Sequence, residues 1–139
     1  MDTCKVLFVD DDINFLETLM KRMKKRGVDV SGVGSGEDAL KFLDGKPADV
    51  VVLDVKMPGI DGIETLRKIK KRYPLIEVII LTGHPSVEVG IEGMELGAFD
   101  YLMKPVDVDE LLYKVQDAHK KKSIQGEKIR NMQEMESRG

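Results

Sequence analysis

The chain has 139 residues, 42% of them hydrophobic and 34% charged, with a formal net charge of -3. That length and composition fit one globular domain and exclude a disordered chain. The balanced, slightly acidic charge excludes a general electrostatic attraction to nucleic acid or anionic lipid.

Strand-like and helix-like segments alternate five times. The first strand is expected at Lys5-Val9, followed by a helix whose stripe is Leu16, Leu19, Met20 and Met23 and which Gly27 stops. A second strand, Val28-Val33, alternates apolar and polar residues, as an edge strand does. Ser35 and Asp38 then resemble a capping box, opening a helix that faces inward with Ala39, Leu40 and Leu43. The run Val50-Val51-Val52-Leu53 reads as a strand covered on both faces. Asp61 and Glu64 open the third helix, which buries Ile63, Leu66 and Ile69 and ends before Pro74. The fourth strand is expected at Ile76-Leu81 and the fifth at Phe99-Met103.

Between those two strands, the helix from about Ser86 to Leu96 contains Gly90 and Gly93, each costing about 1 kcal/mol relative to alanine. Two readings stand side by side: close packing of the helix on the sheet, or a soft element that shifts with its surroundings. Asp107 and Glu110 open the fifth helix, with Leu111, Leu112, Val115 and Ala118 inward. The periodic pattern predicts a domain over 1–122. Residues 123–139 read as an extension, a linker stub or a partner-binding helix that Gly126 weakens. Lys120, Lys121, Lys122 and His119 are expected at a solvated helix end.

The alternation predicts a (βα)5 doubly wound fold around a five-stranded parallel sheet, for which the flavodoxin-like strand order 2-1-3-4-5 is the expected arrangement if strands one and three are neighbours. Cys4 has no partner for an internal disulfide and reads as a small apolar residue. The residues Met1-Asp2-Thr3-Cys4-Lys5 hold no signal core, and no run approaches the roughly 20 apolar residues of a membrane span. A cytoplasmic protein is expected.

The chemistry gathers at the strand ends. Asp10-Asp11-Asp12 follow the first strand, Asp54 the third, Thr82 the fourth and Lys104 the fifth. With strands one and three adjacent, carboxylates meet where such sheets bind ligands. Carboxylates repel, so their assembly implies a compensating cation, and a few carboxylates with water and phosphate oxygens suit Mg2+. A carboxylate can also act as a nucleophile and form an aspartyl-phosphate, with the lysine and the hydroxyl on the phosphoryl oxygens. Asp12 is better placed as a helix N-cap than as a ligand.

Val9-Asp10-Asp11, Leu53-Asp54-Val55-Lys56-Met57-Pro58-Gly59, Leu81-Thr82-Gly83 and Gly97-Ala98-Phe99-Asp100-Tyr101-Leu102-Met103-Lys104-Pro105 together resemble the receiver domains of two-component response regulators, the chemotaxis-regulator family. The resemblance runs from residue 5 to about 121. It implies Asp54 as phospho-acceptor, Asp11 as direct Mg2+ ligand, Asp10 as a ligand through water, and the backbone carbonyl of Lys56 as a further ligand. It implies Thr82 and Tyr101 as switch residues, Lys104 as the phosphate-binding lysine, and a cis peptide at Lys104-Pro105.

Lys56 and His84, two residues after Asp54 and Thr82, resemble positions that tune dephosphorylation. The implied partners are a sensor histidine kinase or phosphotransfer protein, and a downstream protein or an output domain beyond this chain. Phosphorylation would change the face of the fourth helix, fifth strand and fifth helix, and a phosphorylation-dependent dimer is compatible with that. Neither direct nucleic-acid binding nor membrane contact is expected of the domain, and it would assist only its own phosphorylation and dephosphorylation. The competing expectation is a Mg2+-dependent phosphohydrolase using Asp54. Against it stands Lys56, where a second acid would be needed.

Overall fold

A computed structural model of the chain describes residues 4–55, 61–83 and 86–138. Strands β1 (Lys5–Val9), β2 (Asp29–Val33), β3 (Val50–Leu53), β4 (Glu77–Thr82) and β5 (Asp100–Met103) alternate with helices α1 (Ile13–Lys25), α2 (Gly36–Gly45), α3 (Gly62–Arg72), α4 (Val87–Glu95) and α5 (Val108–Arg138). Every pairing is parallel and the order is β2-β1-β3-β4-β5, with β2 at an edge as its alternating sequence predicts.

Successive strand residues point to opposite faces, so each buried run feeds two cores. Leu7, Val9, Val51, Leu53, Val78 and Ile80 join Leu40, Leu66 and Ile69 from α2 and α3. Val6, Phe8, Val52, Ile79 and Leu81 meet Leu16, Leu19 and Met23 of α1 and Leu111, Val115 and Ala118 of α5. Among the described residues, no helix is long and apolar enough to cross a membrane.

Local signals set the helix ends. Asp12 Oδ1 accepts the Phe15 N–H at 3.1 Å, Ser35 Oγ accepts that of Asp38 at 3.1 Å, and Asp61 Oδ1 accepts that of Glu64 at 2.8 Å. Each such cap contributes about 1 kcal/mol. Gly27 takes a φ of +83° just past α1, where a side chain would be strained.

The two glycines of α4 separate. A Cβ on Gly93 would lie 2.5 Å from Ile80 Cδ1, so close packing on β4 accounts for that glycine. A Cβ on Gly90 would meet the Tyr101 ring at an ordinary 3.6 Å. Ile80 is fully buried, so its tip can turn aside only within the core; Gly93→Ala is therefore expected to cost about 1 kcal/mol, and Gly90→Ala to gain up to about 1 kcal/mol of helix propensity. Urea denaturation of both variants checks this, and an equal loss at the two positions would refute the division.

The expected helix end near Lys120 is corrected. α5 continues through Gly126 to Arg138, and the residues read as a solvated terminus are mid-helix. These basic residues face acids on other elements. Lys121 Nζ reaches the buried Glu77 Oε2 at 3.5 Å, Lys122 Nζ reaches Asp49 Oδ1 at 3.0 Å, and His119 Nε2 stands 3.7 Å from Asp49 Oδ2. The basic run thus covers two acids at the N-terminal edge of the sheet.

Candidate functional site

Register carries the site residues to one level. Val9 pairs with Leu53, and the Asp54 N–H donates to the Val9 carbonyl at 2.9 Å, which places Asp10 and Asp54 side by side at the strand ends. Thr82 pairs with Met103, and the Lys104 N–H donates to the Thr82 carbonyl at 2.8 Å, so β5 delivers its lysine beside β4. The Lys104-Pro105 peptide is cis.

The charges there are close and shielded. Asp10 and Asp54 are 5% and 6% exposed, and Thr82 is fully buried. Lys104 Nζ lies 2.6 Å from Asp10 Oδ2 and 3.7 Å from Asp54 Oδ2, so one ammonium serves two carboxylates. Asp10 Oδ1 also accepts the Asp12 N–H at 2.9 Å. Burial pushes the Asp10 carboxyl above its ordinary range. The Lys104 and Asp12 hydrogen bonds oppose that shift, and the Asp54 charge adds to it.

One oxygen each from Asp10, Asp11 and Asp54 lies within 4.8 Å of the others, with Asp11 exposed. Three hard oxygen donors, two shielded and one facing solvent, fit Mg2+ with room for water and a phosphoryl oxygen. Asp12 stands apart from this group as the N-cap of α1. Tyr101 is half-buried, its ring packs against Gly90, and its hydroxyl accepts the Ser86 N–H at 3.0 Å. It therefore joins β5 to the start of α4. Lys56 and His84, expected to adjust phosphate lifetime, lie outside the described residues, as does the Lys56 carbonyl.

Two contributors escaped the sequence reading. Phe15, one turn into α1, holds its ring 4.2 Å from Lys104 Nζ. Such a cation–π contact steadies a lysine whose charge is already shared. Gly62, the first residue of α3, donates its N–H to the Val55 carbonyl at 3.0 Å, and its missing Cβ would sit 2.6 Å from the Asp54 carbonyl oxygen. A glycine directly after an N-cap, where alanine is the better helix former, is the one local sign of it.

A family model described as "Response regulator receiver domain" matches residues 6–116. The chain is 37% identical over 113 residues to the DNA-binding transcriptional regulator NtrC of Escherichia coli, covering 81% of this chain and 24% of that protein. It is 41% identical over 110 residues to the transcriptional regulatory protein ZraR of the same species, covering 79% and 25%. This chain thus spans about a quarter of the length of those curated relatives. A crystal structure of a CheY-like response regulator receiver domain protein from Methanospirillum hungatei superposes with a TM-score of 0.85 at 27% identity, covering 89% of this chain and 99% of that one. The motif residues, the 2-1-3-4-5 sheet and these likenesses agree: the chain belongs to the response regulator receiver domain family, a signalling domain of two-component systems.

Proposed function

We propose that Asp54 accepts a phosphoryl group from a phosphohistidine donor and that the resulting charge switches the α4-β5-α5 face. The observation that carries this reading is the single Lys104 ammonium at 2.6 Å from Asp10 and 3.7 Å from Asp54, beside an exposed Asp11. Asp10, Asp11 and Asp54 would hold Mg2+, which when bound supplies charge neutralisation and a template for phosphoryl oxygens.

An Asp54 carboxylate oxygen forms the new O–P bond as the donor's N–P bond breaks, and the donor imidazole keeps that electron pair and takes up a proton. Lys104 holds one phosphoryl oxygen by a charge-assisted hydrogen bond. The Thr82 hydroxyl donates to another, and Tyr101 transmits the change to α4 through its bond to Ser86. A near-complete switch needs about 5.5 kcal/mol of difference between the two states.

The output face is suited to a partner. Val87, Ile91 and Met103 are 80%, 55% and 57% exposed around an apolar groove between α4 and β5. Exposed apolar patches of this kind mark interaction sites. We read residues 1–122 as the receiver and 123–139 as a helical connection toward an output domain. The upstream partner is a sensor histidine kinase or phosphotransfer protein, in the cytoplasm. Any DNA binding belongs outside this domain, and its chemistry is confined to its own modification.

Acetyl phosphate with Mg2+ is expected to add the mass of one phosphoryl group to the intact chain and none to Asp54→Ala. No added mass in the wild type would remove the proposal. Multiple turnovers of a small phosphate ester would point instead to a phosphohydrolase.

A further inference from the structure

We propose that Cys4, Asp49 and His119 form a binding site for zinc or a similar borderline-soft divalent cation, at the edge of the sheet opposite Asp54. Three separate elements converge there. Cys4 immediately precedes β1, Asp49 immediately precedes the neighbouring β3, and His119 projects from α5. One ligand atom from each lies within 4.8 Å of the other two, and all three residues are half-buried.

The spacing suits a tetrahedral ion. His119 Nε2 and Asp49 Oδ2 are 3.7 Å apart, close to the roughly 3.4 Å edge expected for zinc bonds of about 2.1 Å. Closing on an ion therefore asks for small side-chain rotations, with water in the fourth position. Thiolate, imidazole and carboxylate together are the ligand set of zinc rather than magnesium. The all-oxygen group of Asp10, Asp11 and Asp54 has the opposite preference. The two ends of one sheet thus differ in ligand softness.

The surroundings both support and oppose the ion. The Lys5 N–H donates to Asp49 Oδ2 at 2.9 Å and orients the carboxylate, as groups behind a metal ligand commonly do. Two features oppose the ion: burial and the Asp49 charge push the Cys4 thiol up to about 12, away from the thiolate a metal takes, and Lys122 holds its Nζ 3.0 Å from Asp49 Oδ1. Its side chain is 28% exposed, so the ammonium can withdraw to water on its long stem. On coordination the Cys4 S–H bond gives way to an S–metal bond and the proton passes to solvent. The bound ion would tie the starts of β1 and β3 to α5 just before that helix continues past Lys122 toward Arg138.

Cobalt(II) is a probe that reports on the thiolate by a near-ultraviolet charge-transfer band. The full chain is titrated with cobalt in excess Mg2+, which occupies the oxygen site, under a non-chelating reductant. A saturable band at one cobalt per chain is expected. Cys4→Ser should abolish it, His119→Gln and Asp49→Asn should each weaken binding at least tenfold, and zinc should bleach it by displacement. Absence of the band, a stoichiometry of one cobalt per two chains, or affinity unaltered in His119→Gln would overturn the proposal. X-ray absorption on the zinc-loaded wild type gives a test that needs no variant. One sulfur among nitrogen and oxygen neighbours supports the site, and a shell without sulfur overturns it.

Discussion

Replacing Lys104 by alanine is expected to destabilise the metal-free protein by about 3 kcal/mol and to make its melting temperature strongly dependent on Mg2+. Its ammonium is 2.6 Å from one buried carboxylate and 3.7 Å from another, and only 18% of the side chain is exposed. Removing it takes away the ammonium that Asp10 and Asp54 share and leaves their mutual repulsion less offset. Asp10 would then lose its largest opposition to the burial that already raises its pKa. A divalent cation at 100 times its dissociation constant stabilises a folded state by about 2.7 kcal/mol, and the variant, without the ammonium that competes for Asp10, should bind Mg2+ more tightly than the wild type and so recover part of the difference. Lys104→Met separates charge from packing, because it keeps an apolar stem beside Phe15. Thermal melts with a chelator and with Mg2+ read these effects. The transfer rate from acetyl phosphate should also fall about 10²–10³-fold, as when one charge-stabilising donor is removed. A metal-free alanine variant as stable as the wild type would show that the lysine does not offset the paired carboxylates.

The same charges explain what could be read from the chain in advance. Each site residue ends an apolar run, and a parallel sheet brings run ends to one edge, so Asp10, Asp54, Thr82 and Lys104 were legible from local pattern alone. The aspartate triplet also divided correctly at Asp12, since an N-cap is a local property of the chain before an amphipathic stripe. Contacts that depend on how helices lie across the sheet were not legible. Phe15 beneath Lys104 joins residues far apart in sequence, and nothing in the first helix's periodicity marks that ring as different from a core aromatic. That α5 runs on past residue 122 is one of the alternatives the sequence leaves open. Gly126 is a local helix weakener, but Glu77 and Asp49, on other elements, hold the lysines and histidine of the helix just before it. Glu77 itself sits at 1% exposure within β4, and its ion-pair partners Lys70 and Lys121 come from two helices on opposite sides of the sheet. Local rules identify the elements, whereas the pairs that link one element to another emerge only from the fold.

Gly62→Ala should be the most damaging small substitution near the site, because the new methyl group meets backbone. Its Cβ would lie 2.1 Å from Val55 Cα and 2.6 Å from the Asp54 carbonyl oxygen. A clash with a side-chain tip, as at Gly93, is eased in part by rotation, but backbone atoms next to a strand can move only with the strand. The Gly62 N–H already holds the Val55 carbonyl at 3.0 Å, so α3 cannot retreat without breaking that bond and disturbing the adjacent Asp61 cap. Overpacking of this kind costs about 3 kcal/mol, beyond any gain from placing alanine in a helix. The strain falls on the peptide that carries Asp54, and a displacement of about 1 Å there can slow chemistry about 10²-fold. Stability and phosphorylation rate should therefore fall together, the first read by urea denaturation and the second by intact mass over time. Gly45→Ala is the control, since nothing lies within 4 Å of its added Cβ, and both quantities should stay near wild type. A Gly62→Ala protein with wild-type stability would mean that the approach of α3 to the Asp54 peptide is looser than these distances require. The glycine would then have no part in holding the acceptor.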